Sequence, residues 1–217
     1  MDFKDKVAVV TGSSRSIGRG VALAFAREGC ALVINYRKSR DEADEVVKTI
    51  KEMGGKAIVV QCDVSKREDV EAMFKAVIDE YGKVDILVNN AGIASGGSIL
   101  ETTDESWDSQ MAVNLKGVFL CSQIAARLMV ERKYGKIVNI SSNSGFGIAM
   151  DGETSYAVSK AGVIQLTKSC AYDLGPYGIN VNCVATGAVD TVMLQGSRSD
   201  EEYAKVLQGR IDRASLG

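Results

Sequence analysis

Histidine is absent from the 217 residues of this chain, and proline occurs once, at Pro176. Without an imidazole the chain cannot form a Ser-His-Asp or Cys-His catalytic arrangement, or the usual zinc site that contains histidine. Proton transfer must then use a tyrosine, lysine, cysteine, carboxylate or water. Because there is also no proline-rich linker, repeat or break in composition, the length favours one domain that spans residues 1–217.

Cysteine pairs and excess charge are also missing. The five cysteines are an odd number and form no C-x-x-C motif, which argues against a disulfide framework or a zinc ribbon. We predict that they are small core residues of a protein in a reducing compartment, and that the chain holds no metal. The 26 basic and 28 acidic residues leave a net charge of −2, which does not predict a nucleic-acid-binding surface.

The sequence also lacks long apolar stretches. The first six residues lack the apolar region of a signal peptide, and no apolar run approaches the length of a membrane span. These two observations predict a cytoplasmic protein without a membrane partner.

Six short β-rich runs alternate with amphipathic helical patterns. Several of these runs are almost continuously apolar, which is typical of strands covered on both faces. The alternation predicts an α/β fold of the Rossmann type, a doubly wound parallel sheet flanked by helices. Ligands bind such sheets beyond the carboxyl ends of the strands. The predicted strands are Val7–Thr11, Ala31–Tyr36, Ala57–Gln61, Val84–Asn89, Lys136–Ser141 and Ile179–Ala185.

A glycine-rich segment, TGSSRSIGRG at residues 11–20, joins the first predicted strand to a helix. Such a turn exposes backbone N–H groups at the electropositive N-terminus of the helix, where a pyrophosphate binds. Glycine also lets the backbone approach a ligand closely because it has no Cβ. The segment therefore predicts a dinucleotide site, although a plain strand-to-helix turn is the alternative.

The second predicted strand ends at Asn35-Tyr36-Arg37, without the acidic residue that would accept the ribose 2′-hydroxyl of NAD. Arg37 and Arg15, in the glycine-rich segment, can instead pair with a 2′-phosphate. This arrangement favours NADP(H), while NAD(H) stays possible. The alternative is that both arginines are solvated surface residues.

Tyr156 and Lys160 are four residues apart at the start of a predicted helix, so they share one face. An ammonium near a phenol favours the phenolate and lowers the pKa of the phenol, which would make Tyr156 a general acid/base. The preceding strand ends in Ser141-Ser142, where a serine could donate to a carbonyl oxygen. Upstream, the amide of Asn114 interrupts an apolar helix.

These motifs, and their order along the chain, resemble those of the short-chain dehydrogenase/reductase family over nearly the whole sequence. The resemblance implies that Tyr156 protonates the substrate oxygen during hydride transfer and that Asn114 holds a water of the proton relay. The spacing between the catalytic serine and the tyrosine is one residue longer than is commonest in the family. The implied catalytic tetrad is Asn114, Ser142, Tyr156 and Lys160.

The same resemblance implies where the cofactor binds. Asp63-Val64 would contact the adenine, although Asp63 also fits an ordinary turn at a strand end. The sequence departs from the family pattern at Ser16, where the middle glycine usually stands, and at Thr186, where a proline is usual. The implied cofactor-binding residues are Gly12, Ser14, Arg15, Ser16, Ile17, Gly18, Tyr36, Arg37, Asp63, Val64, Asn90, Ala91, Gly92, Tyr156, Lys160, Gly187, Val189 and Thr191.

The function implied is an NADP(H)-dependent oxidoreductase that interconverts a ketone and a secondary alcohol. Within the family the chain is most similar to 3-oxoacyl-acyl-carrier-protein reductases, which dock an acidic acyl carrier protein on basic residues of two helices. Arg132 and Lys133 match on one helix, whereas Tyr172 stands at the matching place on the other. A sugar or polyol dehydrogenase, of the glucose type, is an alternative. A non-catalytic NADP-binding sensor or scaffold is an alternative of another class.

Assembly and chain length also follow from the resemblance. Family members form homotetramers or homodimers through two helices, which correspond to Met111–Arg132 and Ser155–Leu174 of this sequence. They usually continue with one more strand and helix, so the resemblance implies a chain truncated before those two elements.

Overall fold

The computed structural model describes residues 3–147, 152–196 and 199–212. Its six strands form one parallel sheet in the order β3-β2-β1-β4-β5-β6, which confirms the predicted Rossmann-type fold. The strands are β1 (Val7–Val10), β2 (Ala31–Tyr36), β3 (Ala57–Gln61), β4 (Ile86–Asn89), β5 (Gly135–Ser142) and β6 (Ile179–Thr186).

Helices cover both faces of the sheet. α1 and α2 pack on one face, and α3, α5 and part of α6 pack on the other. A π-helical turn, Met111–Lys116, joins α4 to α5. The helices are α1 (Ser16–Arg27), α2 (Arg40–Glu52), α3 (Arg67–Tyr81), α4 (Asp104–Gln110), α5 (Gly117–Val130), α6 (Thr154–Leu174), α7 (Val192–Gln195) and α8 (Asp200–Ile211).

Strand β1 lies at the centre of this layered core. Val7 and Val9 belong to the apolar cluster with α3 and α5, whereas Ala8 and Val10 belong to the cluster with α1 and α2. All four residues are buried because helices cover both faces of the strand. This double burial explains why the strand is a continuous apolar run in the sequence.

The strand order reverses beside β1. The chain runs outward from β1 to β2 and β3, and then returns to place β4 on the other side of β1. Connections that leave neighbouring strands in opposite directions open a crevice at their carboxyl ends. The carboxyl ends of β1 and β4 are therefore where a ligand site is expected.

The continuous helical stretch Asp104–Val130 contradicts the expectation that no segment has the length of a membrane span. It has 27 residues, and its most apolar 18-residue window has a mean hydropathy of 1.3, so by length and composition alone it could cross a membrane. However, 56% of its most apolar window is buried inside the fold, where α5 packs against β4, β5 and α3. We therefore interpret this stretch as a core helix.

A buried carboxylate lies at the opposite end of the sheet from the crevice. Asp85 has no exposed side-chain surface and accepts hydrogen bonds from the Val7 N–H (3.0 Å) and from Arg132 Nη2 (2.7 Å), with Lys83 Nζ at 3.1 Å. Burial by itself would raise the pKa of Asp85, but these three donors outweigh it and hold that pKa below its ordinary value. Arg132, expected to meet a carrier protein, is thus engaged in a structural ion pair.

Three of the five cysteines are buried core residues, as predicted. Cys30, Cys62 and Cys121 are buried, Cys170 and Cys183 are half-buried, and all five are free thiols. Burial raises the pKa of the Cys30 and Cys62 thiols to about 12. These two thiols therefore stay protonated and unreactive near neutral pH.

Candidate active site

A cleft of about 530 Å³ opens at the carboxyl ends of the strands. It brings together sixteen of the eighteen predicted cofactor residues, which come from segments far apart in the sequence. The predicted residues that line it are Gly12, Ser14, Arg15, Ser16, Ile17, Gly18, Tyr36, Arg37, Asp63, Val64, Asn90, Ala91, Gly92, Tyr156, Lys160 and Thr191.

Two predicted cofactor residues, Gly187 and Val189, do not line the cleft. They follow β6 in an irregular segment where Val189 is 41% exposed. Beyond them the chain turns into α7, so Val192 and Met193 form the cleft wall there, together with Thr186 at the end of β6. Periodicity could not predict this short helix because it has only four residues.

Two glycines of the glycine-rich segment are required by close packing. Gly12 has a left-handed φ of +62°, and a Cβ there would lie 2.9 Å from the Cα of Ala91. A Cβ on Gly18 would lie 2.5 Å from Asn90 Nδ2 and 2.9 Å from the Cα of Ser13. The segment therefore approaches the loop after β4 so closely that neither position has room for a side chain.

Hydrogen bonds tie these two loops together. Thr11 Oγ1 accepts from the backbone N–H groups of Asn90 and Ala91, both at 3.0 Å. Asn90 Nδ2 in turn donates to the carbonyls of Thr11 (2.9 Å) and Gly12 (3.0 Å). The floor of the cleft is thus one rigid unit made from the ends of β1 and β4.

Asn35 is a structural residue of the site that the sequence analysis missed. Its side chain is buried, and its Oδ1 accepts from the Gly12 N–H at 2.9 Å. Its Nδ2 reaches the carbonyls of Val60 (3.4 Å) and Cys62 (3.2 Å) beside β3. A polar residue inside an apolar strand is the signal that could have revealed this role.

The start of α1 is suited to bind an anion. Arg15 occupies the N-cap position and makes no side-chain hydrogen bond to the helix in the described structure, and the first turn holds no acidic residue. Ser16, Ile17 and Gly18 of this turn line the cleft, and the Arg15 side chain does not cap their N–H groups in the described structure. This geometry fits the pyrophosphate of a dinucleotide.

Ser16 adopts a left-handed conformation with a φ of +50°. A left-handed φ costs a residue with a Cβ about 1 kcal/mol, whereas glycine adopts it freely. The family's usual glycine at this position therefore has a physical reason, and this chain carries strain in its place.

We expect Ser16→Gly to raise the free energy of unfolding by a few tenths to about 1 kcal/mol, because the relieved strain exceeds the greater chain entropy of glycine. Urea unfolding of the cofactor-free protein measures the change. Ser16→Ala is the matched control, since alanine keeps the strain and should give no gain. Equal stability of the two variants would contradict the strain interpretation.

Two arginines line the cleft near the carboxyl ends of β1 and β2. Arg37 Nη1 lies 4.0 Å from Asp63 Oδ2, and Arg15 Nη1 lies 3.9 Å from Glu42 Oε1, with both guanidinium groups about half exposed. Such long, solvated ion pairs are weak. Both guanidinium groups therefore remain able to bind a more highly charged anion such as a phosphate.

Asp63 has the turn role that the sequence analysis left as the alternative, and it also lines the cleft. Its Oδ1 accepts from the Ser65 hydroxyl (2.7 Å) and N–H (3.1 Å). Burial would raise the pKa of Asp63, but the Ser65 hydrogen bonds and the nearby Arg37 hold it below its ordinary value. Asp63 thus remains ionised near neutral pH.

The start of α6 places Tyr156 and Lys160 together on the cleft wall. Lys160 is 5% exposed, and its Nζ donates to the Ile140 carbonyl at 2.9 Å. The same Nζ lies 5.7 Å from the centre of the Tyr156 ring. Burial lowers the pKa of Lys160 to about 8, so the ammonium is poised to exchange its proton near physiological pH.

The buried charge of Lys160 should destabilise the fold. Its pKa is lowered on folding, so the penalty is complete below pH 8 and disappears above 10.5, the ordinary pKa. We expect Lys160→Met to raise the free energy of unfolding at pH 7 by about 1–3 kcal/mol, and much less at pH 10. Urea unfolding at both pH values tests this, with the exposed Lys168→Met as control. A gain that does not depend on pH would contradict it.

Asn114 lies behind the cleft wall and does not line the cleft. Its side chain is buried in the π-helical turn, where its Oδ1 accepts from the Ile93 N–H (2.8 Å). Its Nδ2 donates to the Ile93 carbonyl (2.9 Å) and to Ser159 Oγ (3.1 Å). These contacts show a clamp between the loop after β4 and α6, and the implied water-holding role stays a prediction.

The serine pair at the end of β5 divides into two roles. Ser141 is buried and its hydroxyl donates to the Lys160 carbonyl at 2.8 Å, although it also borders the cleft. Ser142 does not line the cleft, and its Oγ accepts from the Ser144 N–H at 3.2 Å. Because the Ser141 hydroxyl is already hydrogen-bonded to the Lys160 carbonyl, Ser142 stays the predicted catalytic serine.

The Ser142 hydroxyl belongs to a small network that the sequence did not reveal. Its Oγ can donate to Ser144 Oγ or Asn143 Oδ1, both at 3.2 Å. Ser144 Oγ donates in turn to Glu153 Oε2 at 2.7 Å. In this structure the Ser142 proton is shared with neighbouring side chains, and it must turn toward a substrate oxygen to act on it.

The sequence matches known proteins over most of its length. The sequence model of one family, described as short chain dehydrogenase, matches residues 6–202. A 3-oxoacyl-[acyl-carrier-protein] reductase from Synechocystis sp. is 40% identical over 195 residues, which cover 90% of this chain and 78% of that protein. A 3-oxoacyl-[acyl-carrier-protein] reductase FabG from Staphylococcus aureus is 42% identical over 202 residues, 93% of this chain and 81% of that protein.

Solved structures show the same similarity. A dehydrogenase/reductase from Sinorhizobium meliloti matches with a TM-score of 0.89 and 34% identity, covering 99% of this chain and 82% of that one. A short chain dehydrogenase from Burkholderia cenocepacia, solved in complex with NADP, matches with a TM-score of 0.85 and 37% identity over 93% of this chain and 82% of that one. These matches confirm the family resemblance that the motifs indicated.

Proposed function

Because the chain belongs to the short-chain dehydrogenase/reductase family, we propose that it is an NADP(H)-dependent enzyme that interconverts a ketone and a secondary alcohol, with a 3-oxoacyl thioester as substrate class. Membership makes it an NAD(P)-dependent oxidoreductase that acts on CH–OH or C=O groups. The observation that carries the proposal is the position of Tyr156 and Lys160 on the wall of a cleft whose other wall is the glycine-rich segment.

The residues of this cleft fit a nicotinamide dinucleotide. The uncapped N-terminus of α1 would hold the pyrophosphate, and the close packing at Gly12 and Gly18 keeps the glycine-rich segment against the loop after β4. A Cβ on Gly92 would lie 3.3 Å from Asn114 Oδ1, which is tighter than an ordinary contact, so glycine suits the loop after β4 at this position. A bound nicotinamide would supply the hydride chemistry.

The chain itself provides the proton. In reduction, the Tyr156 hydroxyl donates a proton to the substrate oxygen, and the Lys160 ammonium stabilises the phenolate that remains. The Ser142 hydroxyl turns from Ser144 toward the same oxygen and stabilises its developing charge. Asn114 holds the loop after β4 against α6, so that the Tyr156 side chain stays at the cleft.

The proposed preference for NADP(H) depends on Arg37 and Arg15. We expect Arg37→Asp to raise the KM for NADPH about 10- to 100-fold, because a charge-assisted hydrogen bond to a 2′-phosphate is replaced by repulsion. The KM for NADH should change little. Steady-state kinetics with both cofactors measure this, and Lys48→Asp on the exposed face of α2 is the control for the change in charge. A rise of similar size with both cofactors would contradict the preference.

The substrate class follows from the relatives named as 3-oxoacyl-[acyl-carrier-protein] reductases. Acyl carrier protein is the proposed partner, and Lys133 remains on the surface to meet it after Arg132 is committed to Asp85. A cytoplasmic location belongs to the same proposal.

A homotetramer or homodimer is also proposed, formed through the exposed faces of the two long helical stretches. An apolar groove supports it, lined by Met111, Leu115, Phe119 and Leu166. Phe119 is 40% exposed although it lies in a core helix, and such an apolar surface is typical of an interface.

A substrate panel tests the proposed function. Acetoacetyl thioesters and aldoses would be compared with NADPH and NADH, by following nicotinamide absorbance. We expect thioester reduction with NADPH to be fastest. Faster turnover of aldoses would favour the sugar or polyol dehydrogenase, and NADPH binding without turnover of any carbonyl would favour the sensor or scaffold.

A further inference from the structure

Two amide side chains, Gln110 and Asn114, lie one helical turn apart where α4 passes into the π-helical turn. Both have no exposed surface. Residues at this spacing project from the same side of a helix. Here that side faces α6 and the loop after β4.

Gln110 repeats the contacts of Asn114 one turn earlier. Its Oε1 accepts from the Ser95 N–H at 3.3 Å, and its Nε2 donates to the Ser95 carbonyl at 3.4 Å. The same Nε2 also donates to the Ser155 hydroxyl. Each amide therefore binds both backbone groups of one loop residue and the hydroxyl of one serine on α6.

The two serines directly precede the two central residues of the site. Ser155 comes before Tyr156, and Ser159 comes before Lys160. A single hydrogen bond, from Asn114 to Ser159, would let the first turn of α6 rotate about that point. The second hydrogen bond, from Gln110 to Ser155, fixes both the rotation of this turn and its position along the helix axis. The Ser159 hydroxyl also donates to the Tyr156 carbonyl at 2.7 Å, so the two attachments act on one rigid turn.

We propose that Gln110 is a positioning residue for Tyr156. Through Ser155 and Ser95 it holds the first turn of α6 and the loop after β4 at the distance from each other that the reaction needs. This inference rests on the proposed function, because it assigns Tyr156 the proton transfer. Gln110 touches neither substrate nor cofactor in this scheme, and it acts only through the residues it holds.

The chemistry of the position supports a specific role. A buried amide costs free energy unless its donors and acceptor are satisfied, and an apolar side chain of equal volume would fill the same space without that requirement. The three hydrogen bonds of Gln110 meet the requirement and place the loop that continues to Ile93 and Ala94 on the cleft wall. The amide thus contributes orientation that packing alone does not supply.

The test compares Gln110→Met, which keeps the volume, with Gln110→Glu, whose protonated form keeps an acceptor and one of the two donors that the amide uses. We expect Gln110→Met to lower kcat by about 10- to 100-fold, since small misplacements of a catalytic group have effects of this size. The KM for NADPH should stay within twofold. Gln110→Glu should recover most of kcat at low pH, where its carboxyl is protonated. The exposed Gln165→Met on α6 is the control.

A double-mutant cycle identifies the partner. Ser155→Ala and Gln110→Met should each lower kcat, and their combination should lower it little further because both remove the same attachment. Additive losses, or no recovery in Gln110→Glu, would overturn the proposal in favour of a role in packing.

A readout without turnover separates this inference from the proposed function. The phenolate absorbance that appears with rising pH and is missing in Tyr156→Phe reports the ionisation of Tyr156. In Gln110→Met its midpoint should rise by half a pH unit or more, because the Lys160 ammonium then stabilises the phenolate less. An unchanged midpoint would overturn the inference. Absence of turnover in the wild-type protein would instead overturn the proposed function.

Discussion

The Tyr156→Phe variant should lose about 10³-fold in kcat while its affinity for NADPH stays within twofold of the wild type. General acid/base catalysis by a positioned side chain contributes a factor of this order. Phenylalanine keeps the ring, and so keeps the packing beside the Lys160 ammonium 5.7 Å from its centre. Only the hydroxyl that protonates the substrate oxygen is removed. Single-turnover kinetics and a fluorescence titration with NADPH measure the two quantities separately.

Tyr172→Phe is the matched control for this experiment. Tyr172 lies on the same helix, α6, and is 85% exposed, so the same chemical change there should leave kcat unchanged. Near wild-type turnover in Tyr156→Phe would remove the proton donor from the proposed mechanism. Loss of NADPH affinity together with kcat would show that the hydroxyl serves binding.

Replacement of Gly18 by alanine should have the second large effect. A Cβ at this position would lie within 3 Å of Asn90 Nδ2 and of the Ser13 backbone. The Asn90 amide donates hydrogen bonds to the carbonyls of Thr11 and Gly12. Neither this amide nor the Ser13 backbone can move without breaking the link between the two loops. We expect the free energy of unfolding to fall by about 1–3 kcal/mol or more, and NADPH affinity to fall at least tenfold because α1 must shift away from its ligand.

Gly20→Ala is the control, two residues further along α1. A Cβ there would meet no atom within 4 Å, and alanine is the better helix former, so stability should rise by up to about 1 kcal/mol. Urea unfolding compares the stability of the two variants, and NADPH titration compares their affinity for the cofactor. If Gly18→Ala binds NADPH as tightly as Gly20→Ala, the close packing of the loop is not required for the cofactor site.

The predicted strands agree with the structure because each is a local apolar run. β2 and β3 have the predicted bounds, and β1 ends one residue earlier. β4 begins two residues later than predicted, at Ile86, although the Asp85 backbone still donates to the Val7 carbonyl (3.0 Å) and accepts from the Lys136 N–H (3.0 Å). The same kind of local signal, spacing on one helix, identified Tyr156 and Lys160 as neighbours.

The site contains side-chain contacts that no local pattern indicated. Apart from the adjacent Tyr36 carbonyl, the side-chain partners of Asn35, Gln110 and Asn114 lie at least fifteen positions away in the sequence. The Glu153 contact to Ser144 crosses a segment without periodicity. Arg132 also has a partner that the sequence did not indicate, the buried Asp85, which lies 47 positions away.

The sequence by itself determined the order of strands and helices, the glycine-rich turn and the tyrosine–lysine pair, because these depend on neighbours within one or two turns of chain. Only the tertiary structure decided which buried amides clamp the loops to α6, which glycines have no room for a Cβ and which arginine is committed to Asp85. Those choices depend on atoms brought together by the fold, and folding joins residues whose spacing along the chain carries no signal.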